Sequence, residues 1–255
     1  MPVKLIEHTP EAYAYPLLIK QLLHTPLAIA PEQEITYMGG RRHTYRVLRE
    51  RIGRLASALA GLGVEAGETV AMMDWDSHRY LECFFAVPMM GAILQTVNVR
   101  LSPEQILYTL NHARADVVLV NAEFWPIIAA IAGKLETVRR FVLIEDAPAE
   151  GPPPVDFDGE YEALLAAASP DYAFPDFDEN AKATTFYTTG TTGLPKGVYF
   201  SHRQLVLHTL ATAAALGNAP VQGRLHREDV YMPITPMFHV HAWGLPYVAT
   251  MLGLK

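Results

Sequence analysis

The residues with the clearest potential for chemistry lie between positions 188 and 197. This stretch, Thr-Thr-Gly-Thr-Thr-Gly-Leu-Pro-Lys-Gly, holds four hydroxyls, three glycines and one lysine. Glycine lets a backbone turn tightly and bring its N–H groups against a ligand, and the hydroxyls add short hydrogen-bond donors. Lys196 adds a positive charge. The composition therefore predicts a loop that binds phosphate oxygens.

The setting of this loop also fits phosphate binding. The run Thr184–Tyr187 before it is apolar and β-rich, and a helical pattern begins at Ser201 after it. Phosphate-binding loops usually lie between a strand and the N-terminus of a helix, so we expect strand–loop–helix here. The loop is not of the G-x-x-x-x-G-K-[ST] type, because Lys196 follows Pro195 and precedes Gly197.

A second group of candidate residues follows Val230–Ile234, which is predicted to be a strand. Positions 235–247 read Thr-Pro-Met-Phe-His-Val-His-Ala-Trp-Gly-Leu-Pro-Tyr, and the end of a strand is a common place for a pocket wall. His239 and His241 would share one face of a strand, which leaves a zinc site open, although no cysteine or acidic group is near enough in sequence to complete it. Trp243 is interpreted either as a pocket residue or as a core residue.

The elements that must position these residues alternate between helix and strand for most of the chain. A first amphipathic helix is predicted over Tyr13–His24, and capping boxes at Ser102–Gln105 and Ser201–Gln204 begin two later helices. The strands between the helices are short and apolar. Repeated strand–helix–strand units of this kind predict an α/β fold, a mostly parallel sheet with helices on both faces.

Two shorter features receive structural interpretations. Asp74 and Asp76 flank Trp75 at the end of a predicted strand, Thr69–Trp75, and we expect them to cap the next helix near Ser77, with a carboxylate pair as the alternative. Cys83 has no basic neighbour on its apolar helix, so it is expected to be a small buried hydrophobe.

The alternation stops between positions 146 and 180, where the chain is acidic and rich in proline. We interpret this stretch as a surface excursion within one domain that spans residues 1–255. A flexible linker between two domains is the alternative.

The bulk composition excludes several classes of function. The net charge of −7 and the isoelectric point near 5.8 argue against nucleic acid or an anionic membrane as the main partner. The longest apolar run, 83–94, is too short to span a bilayer, and residues 1–8 do not resemble a signal peptide. One cysteine allows no internal disulfide, which fits a cytoplasmic protein.

The loop string resembles the nucleotide loop of adenylate-forming enzymes, which include acyl-CoA synthetases, luciferases and the adenylation domains of peptide synthetases. A Pro-x-Phe-His segment follows that loop at a similar distance in the family. The resemblance implies the N-terminal part of the family's large domain, with ATP, Mg²⁺ and coenzyme A as ligands. The string from 239 to 247 is most similar to medium- and long-chain fatty acyl-CoA ligases, which implies a fatty acid substrate.

Residue roles follow from the same resemblance. It implies that the loop residues Thr188, Thr189, Gly190, Thr191, Thr192, Gly193 and Lys196 bind the nucleotide, with Thr188 near Mg²⁺. His239 would lie where the acyl substrate meets the α-phosphate, and it is the predicted catalytic residue together with Lys196. Trp243 and Gly244 would line the acyl pocket.

The resemblance covers about the first half of a family member of usual length. The adenine-binding motif, the ribose-binding aspartate and the small C-terminal domain with its catalytic lysine are not found in this sequence. We therefore expect the chain to be inactive or nearly so by itself. An acyl-AMP ligase, an amino acid adenylation domain and a catalytically silent nucleotide- or acyl-binding fragment remain alternatives, and a homodimer is left open.

Overall fold

The computed structural model describes residues 3–7, 9–38, 40–146, 151–188 and 193–255. Among these residues the strands are β1 (Glu34–Tyr37), β2 (Arg41–Thr44), β3 (Thr69–Met73), β4 (Ile93–Thr96), β5 (Ala115–Asn121), β6 (Arg140–Ile144), β7 (Gly159–Glu160), β8 (Lys182–Thr188) and β9 (Lys196–Ser201). The α-helices are α1 (His24–Ile29), α2 (Tyr45–Gly61), α3 (His78–Met89), α4 (Pro103–Ala113), α5 (Trp125–Ile131), α6 (Tyr161–Ala167), α7 (His202–Gly217) and α8 (Leu245–Leu252). Short 3₁₀ segments lie at Ile19–Leu23, Ala122–Phe124, Ala132–Lys134, Val221–Gly223 and Val240–Gly244.

The main sheet has seven strands in the order β7-β6-β5-β3-β4-β8-β9, and β1 pairs with β2 in a separate hairpin. All neighbouring pairs in the main sheet are parallel except β8 and β9, which are antiparallel. The prediction of a mostly parallel α/β sheet is confirmed.

The helices cover both faces of this sheet. The connection from β3 to β4 steps in one direction across the sheet, and the connection from β4 to β5 steps back past β3. Right-handed crossovers in opposite directions place α3 and α4 on opposite faces. The contacts agree, because α2 packs against α3 and α6, whereas α4 packs against α5.

The core lies where α3 is enclosed between the sheet and α2. Every residue of β3 is buried, and so is nearly every residue of α3. Cys83 lies in this layer, where burial raises the pKa of its thiol. The prediction that Cys83 is a buried hydrophobe is confirmed.

The N-capping residues in the sequence predict most helix starts correctly. The Ser102 and Ser201 capping boxes both form, with each serine accepting from the N–H of the residue three positions later. The helix predicted over Tyr13–His24 was wrong, because α1 begins only at His24 and a 3₁₀ segment precedes it. A residue before proline is disfavoured in the α region, and Tyr15, which precedes Pro16, has a φ of 49°.

The described part of the acidic stretch, residues 151–180, contacts α2 through α6. Arg51 of α2 donates to the buried carboxylate of Glu82 at 2.6 Å and to Glu162 of α6 at 2.8 Å. The Tyr161 hydroxyl also donates to Glu82, at 2.7 Å. Burial acts to raise the pKa of Glu162, but hydrogen bonds from His78 and Arg51 and the charges of the nearby guanidinium groups hold it well below its usual range.

Candidate active site

The loop predicted to bind phosphate connects the two strands of a β-hairpin. Its ends are brought together because Thr188, the last residue of β8, pairs in register with Lys196, the first residue of β9. The Thr188 hydroxyl lies 3.5 Å from the Lys196 carbonyl oxygen, and both side chains are exposed. Of the other predicted loop residues, Thr189, Gly190, Thr191 and Thr192 lie outside the described residues, while Gly193 has a φ of 110°, a conformation that favours glycine.

The expected strand–loop–helix arrangement was wrong. Residues 196–201 form β9, and α7 begins only at His202, at the far end of that strand. The positive end of the α7 dipole therefore lies away from the loop, since the dipole acts within the first turn of a helix. The signal missed in the sequence is Val198-Tyr199-Phe200, three residues of high strand preference.

Packing across the hairpin explains why a strand forms here. Gly197 lies opposite Tyr187, and a Cβ on Gly197 would meet the Tyr187 ring at 3.3 Å. The Tyr187 hydroxyl lies 2.8 Å from Nδ1 of His112 on α4. Burial raises the pKa of Tyr187, so this hydroxyl keeps its proton. The hairpin is thus attached to α4 close to the loop.

The segment that precedes His239 is held by residues at the carboxyl ends of two strands. The Met237 N–H donates to Asp76 Oδ1 at 2.6 Å, and the Thr96 hydroxyl donates to the Phe238 carbonyl oxygen at 3.2 Å. Asp76 follows β3 and Thr96 ends β4. Burial raises the pKa of Asp76, although its hydrogen bond from Met237 opposes this.

The capping role expected for Asp76 was therefore wrong. Ser77 is the N-cap of α3, and its hydroxyl donates to Asp74 at 2.7 Å. Asp74 thus supports the cap, as expected, whereas Asp76 supports the His239 segment. The sequence held no signal for this bond, because its partners are 161 positions apart.

The strand predicted at Val230–Ile234 does not form in the described part of the chain. Among the described residues, this segment makes one backbone hydrogen bond, from the Tyr231 N–H to the Lys255 carbonyl oxygen at 2.9 Å. Val230, Met232 and Ile234 are all exposed. A strand requires a ladder of such bonds, and this segment lacks one.

His239 and His241 do not share a face. His239 is exposed, whereas His241 is buried and burial lowers its pKa to about 3. The interpretation as strand neighbours was wrong, because the backbone turns left-handed between them. Within the described residues no group of three or more His, Cys, Asp or Glu side chains is placed to hold a metal ion.

The turn after His239 has an unusual backbone. Val240, His241, Ala242, Trp243 and Gly244 have φ values of 50°, 53°, 48°, 58° and 70°. Each non-glycine residue in this region costs about 1–2 kcal/mol, and such residues normally occur singly. Strain of this kind concentrates at functional sites.

Trp243 and Gly244 occupy the end of this turn. The Trp243 side chain is 61% exposed, so it is not a core residue, and its carbonyl oxygen lies 3.0 Å from Nε2 of His208 on α7. A Cβ on Gly244 would lie 2.8 Å from the same imidazole. Both the positive φ and this close approach favour glycine at 244.

The imidazole of His241 connects the two groups of candidate residues. Its ring centroid lies 5.2 Å from Phe186 of β8 and 6.0 Å from Phe200 of β9. It lies 5.8 Å from Phe84 of α3. The segment that carries His239 and Trp243 therefore packs on the hairpin that carries Thr188 and Lys196.

A separate cleft lies at the carboxyl ends of β3, β5 and β6. Its volume is about 970 Å³, and its described walls include Asp74, Trp75, Asn121, Glu123, Trp125 and Asp146. The predicted site residues that the structure describes lie outside these walls. The cleft adjoins the His239 segment through Trp75, whose ring centroid is 6.3 Å from that of Phe238.

Comparison with known proteins identifies the family to which this chain belongs. The described residues combine a mostly parallel α/β sheet with a β8–β9 hairpin that carries the two ends of the Thr/Gly/Lys loop. The model of the AMP-binding enzyme family matches residues 24–255. The chain belongs to this family, and the resemblance to adenylate-forming enzymes is confirmed.

Individual relatives are similar over most of this chain. It is 46% identical over 214 residues to the long-chain-fatty-acid–CoA ligase of Thermus thermophilus, a match of 84% of this chain and 37% of the relative. It is 41% identical over 218 residues to the medium-chain-fatty-acid–CoA ligase of Ectopseudomonas oleovorans, covering 84% of this chain and 38% of the relative.

The fold also matches solved structures. The anthranilate CoA ligase AuaEII in complex with anthranoyl-AMP superposes with a TM-score of 0.82 and 25% identity, over 94% of this chain and 45% of that one. The chain thus spans less than half the length of these relatives. None of the described helices is long and apolar enough to cross a membrane.

Proposed function

We propose that this chain is the N-terminal part of the large domain of a fatty acid–CoA ligase. The observation that carries the proposal is the Thr/Gly/Lys hairpin loop in a chain that belongs to the AMP-binding enzyme family. Two relatives of this chain are a long-chain- and a medium-chain-fatty-acid–CoA ligase, which favours a fatty acid over an amino acid as the substrate.

The reaction has two steps. A carboxylate oxygen of the fatty acid attacks the α-phosphorus of ATP, and the bond to the pyrophosphate oxygen breaks, which yields acyl-AMP and pyrophosphate. The sulfur of coenzyme A then attacks the acyl carbon, AMP leaves, and the thiol proton is released. The first step requires that two anions be held in line while the charge on the triphosphate is neutralised.

The residues of this chain have separate roles in the first step. Lys196 and the loop from Thr188 bind the β- and γ-phosphates, since a lysine and backbone N–H groups stabilise phosphate charge. His239 orients the carboxylate, and Trp243 with Gly244 lines the acyl pocket. Exposure of Thr188, Lys196, His239 and Trp243 supports these roles, because all four can be reached by a ligand.

Mg²⁺ is part of the proposal as a partner of ATP. It would neutralise charge on the triphosphate, and we infer that the exposed Thr188 hydroxyl contacts it. The described residues offer no cluster of three metal-binding side chains, so the ion is proposed to arrive with the nucleotide.

Two further properties belong to the proposal. A cytoplasmic location is supported by the single cysteine, which is buried and reduced. A homodimer is supported by the exposed apolar side chains of Val230, Met232 and Ile234.

A chimaera tests the reaction directly. The matching segment of the Thermus thermophilus ligase is replaced by residues 24–255 of this chain, and carboxylate-dependent ATP–pyrophosphate exchange is measured with acids from acetate to palmitate. We expect exchange with medium- or long-chain acids. The 255-residue chain alone is expected to give little or none.

Two lysine variants of the chimaera assign the loop. Lys196→Met is expected to lower exchange about 10²- to 10³-fold, as loss of a charge-stabilising donor does elsewhere. Lys182→Met is the control, because Lys182 begins β8, the partner strand of β9, at the end of the hairpin away from the loop. A folded chimaera without exchange, or equal losses in both variants, would contradict the proposal.

A further inference from the structure

The turn Val240–Gly244 is held in place although its backbone is strained. Four non-glycine residues in succession have φ between 48° and 58°, and one of them, Val240, is β-branched and among the residues least suited to this region. Such a conformation persists only where the surroundings determine it. The contacts of the turn must therefore oppose its tendency to relax.

The contacts point to His241 as the main attachment. Its side chain is 1% exposed, and it lies among Phe84, Phe186 and Phe200 at centroid distances of 5.8, 5.2 and 6.0 Å. Its Nε2 is buried with no hydrogen-bond partner in the described structure. Ring packing, rather than hydrogen bonding at Nε2, therefore holds this side chain.

Two of the rings around His241 belong to the strands that flank the phosphate loop. Phe186 lies two residues before Thr188 on β8, and Phe200 lies on β9 beyond Lys196. On the other side of the imidazole, the turn carries His239 immediately before it and Trp243 near its end.

We propose that His241 is a positioning residue whose buried ring attaches the left-handed turn to the β8–β9 hairpin. It thereby fixes His239 and Trp243 relative to the phosphate loop. The roles of those residues rest on the proposed function, whereas the attachment itself does not. A rigid connection of this kind serves a reaction in which two anions must be aligned, because small displacements of reacting groups lower rates strongly.

Fluorine NMR of the 255-residue chain labelled with 5-fluorotryptophan tests the attachment. The chain has three tryptophans, and Trp243→Phe assigns the signal of interest. His241→Ala is expected to shift and broaden the Trp243 resonance. Phe200→Leu, a change on the hairpin, is expected to shift the same resonance.

Tyr247→Phe is the matched control for a general loss of stability. The Tyr247 hydroxyl donates to the Phe84 carbonyl oxygen at 2.9 Å, so this variant loses a buried bond beside the same aromatic cluster. Its Trp243 resonance is expected to remain in place. Equal effects of His241→Ala and Tyr247→Phe on that resonance, or no effect of either, would overturn the proposal.

A second pair of variants tests the strain. Ala242→Gly and Ala249→Gly delete the same methyl group from buried sites, but Ala242 is left-handed and Ala249 lies in α8. Glycine relieves strain at positive φ and weakens a helix. The midpoint of urea unfolding is expected to be higher for Ala242→Gly, and equal midpoints would contradict a strained turn.

These measurements separate two kinds of failure. A chimaera without exchange would overturn the proposed reaction while the NMR response to His241→Ala still supported the attachment. An unchanged Trp243 resonance in His241→Ala would overturn the attachment even if the chimaera were active.

Discussion

His202 begins α7 with its side chain fully buried, and its Nδ1 accepts a hydrogen bond from the Ile19 N–H at 3.2 Å. Burial lowers the pKa of His202 from its usual 6.5 to about 4. The folded protein therefore keeps this imidazole neutral at pH values where the unfolded chain takes up a proton.

Acidification therefore lowers the free energy of unfolding through His202. As the pH falls from about 6.5 towards 4, the unfolded state binds a proton at His202 and the folded state does not, so the unfolded state gains stability. Between pH 7 and pH 5 we expect His202 to lower the free energy of unfolding by about 2 kcal/mol.

Urea unfolding of the wild type and His202→Asn at both pH values measures this contribution. The asparagine oxygen can accept from Ile19 without titrating, so the variant is expected to lose less stability than the wild type on acidification. The absolute stability of the variant does not matter, because only the difference between pH values is compared. Parallel losses in both proteins would contradict the assignment.

At the scale of elements, α2 approaches the acidic stretch so closely that a side chain at Gly53 is expected to destabilise the protein. A Cβ on Gly53 of α2 would lie 1.9 Å from the Pro170 carbonyl oxygen. Gly53→Ala must move backbone, and we expect it to destabilise the protein by roughly 2–3 kcal/mol. The measurement is the free energy of urea unfolding.

Gly61→Ala provides the control in the same helix. Nothing lies within 4 Å of a Cβ there, and alanine favours helix over glycine by up to about 1 kcal/mol. We expect this variant to be as stable as the wild type or more so. If Gly53→Ala proved equally harmless, residues near 170 would not be packed on α2.

At the scale of the whole molecule, the exposed apolar residues at 230–234 are the feature most relevant to association. Val230, Met232 and Ile234 lie at alternate positions of a segment outside the helices and strands, and they are 71%, 71% and 86% exposed. Apolar surface of this kind favours contact with another molecule.

Sedimentation velocity over a range of concentrations tests the proposed homodimer. Ile234→Lys is expected to shift the population towards monomer by several-fold, because it places a charge in the apolar face. Ile6→Lys is the control, since Ile6 is 99% exposed and the change in net charge is the same. Equal shifts in both variants, or a wild type that stays monomeric, would contradict association through this face.

The sequence by itself determined the features that depend on neighbouring residues. Helix starts at Thr44, Ser77, Ser102 and Ser201 follow from side chains that accept hydrogen bonds from N–H groups three positions away. The parallel sheet follows from repeated apolar strands separated by helices. The Thr/Gly/Lys string was sufficient to identify the family, because its chemistry is contained in ten consecutive residues.

Only the tertiary structure decided the features that depend on distant partners. Residues 196–201 became a strand because β8 and Tyr187 offered a partner, and Asp76 became a support for Met237 across 161 positions. The left-handed turn at 240–244 opposes local preference and is held by rings from three other elements. Local conformational preferences are worth about 1–2 kcal/mol per residue, so contacts between distant segments overrode them at these positions of the candidate site.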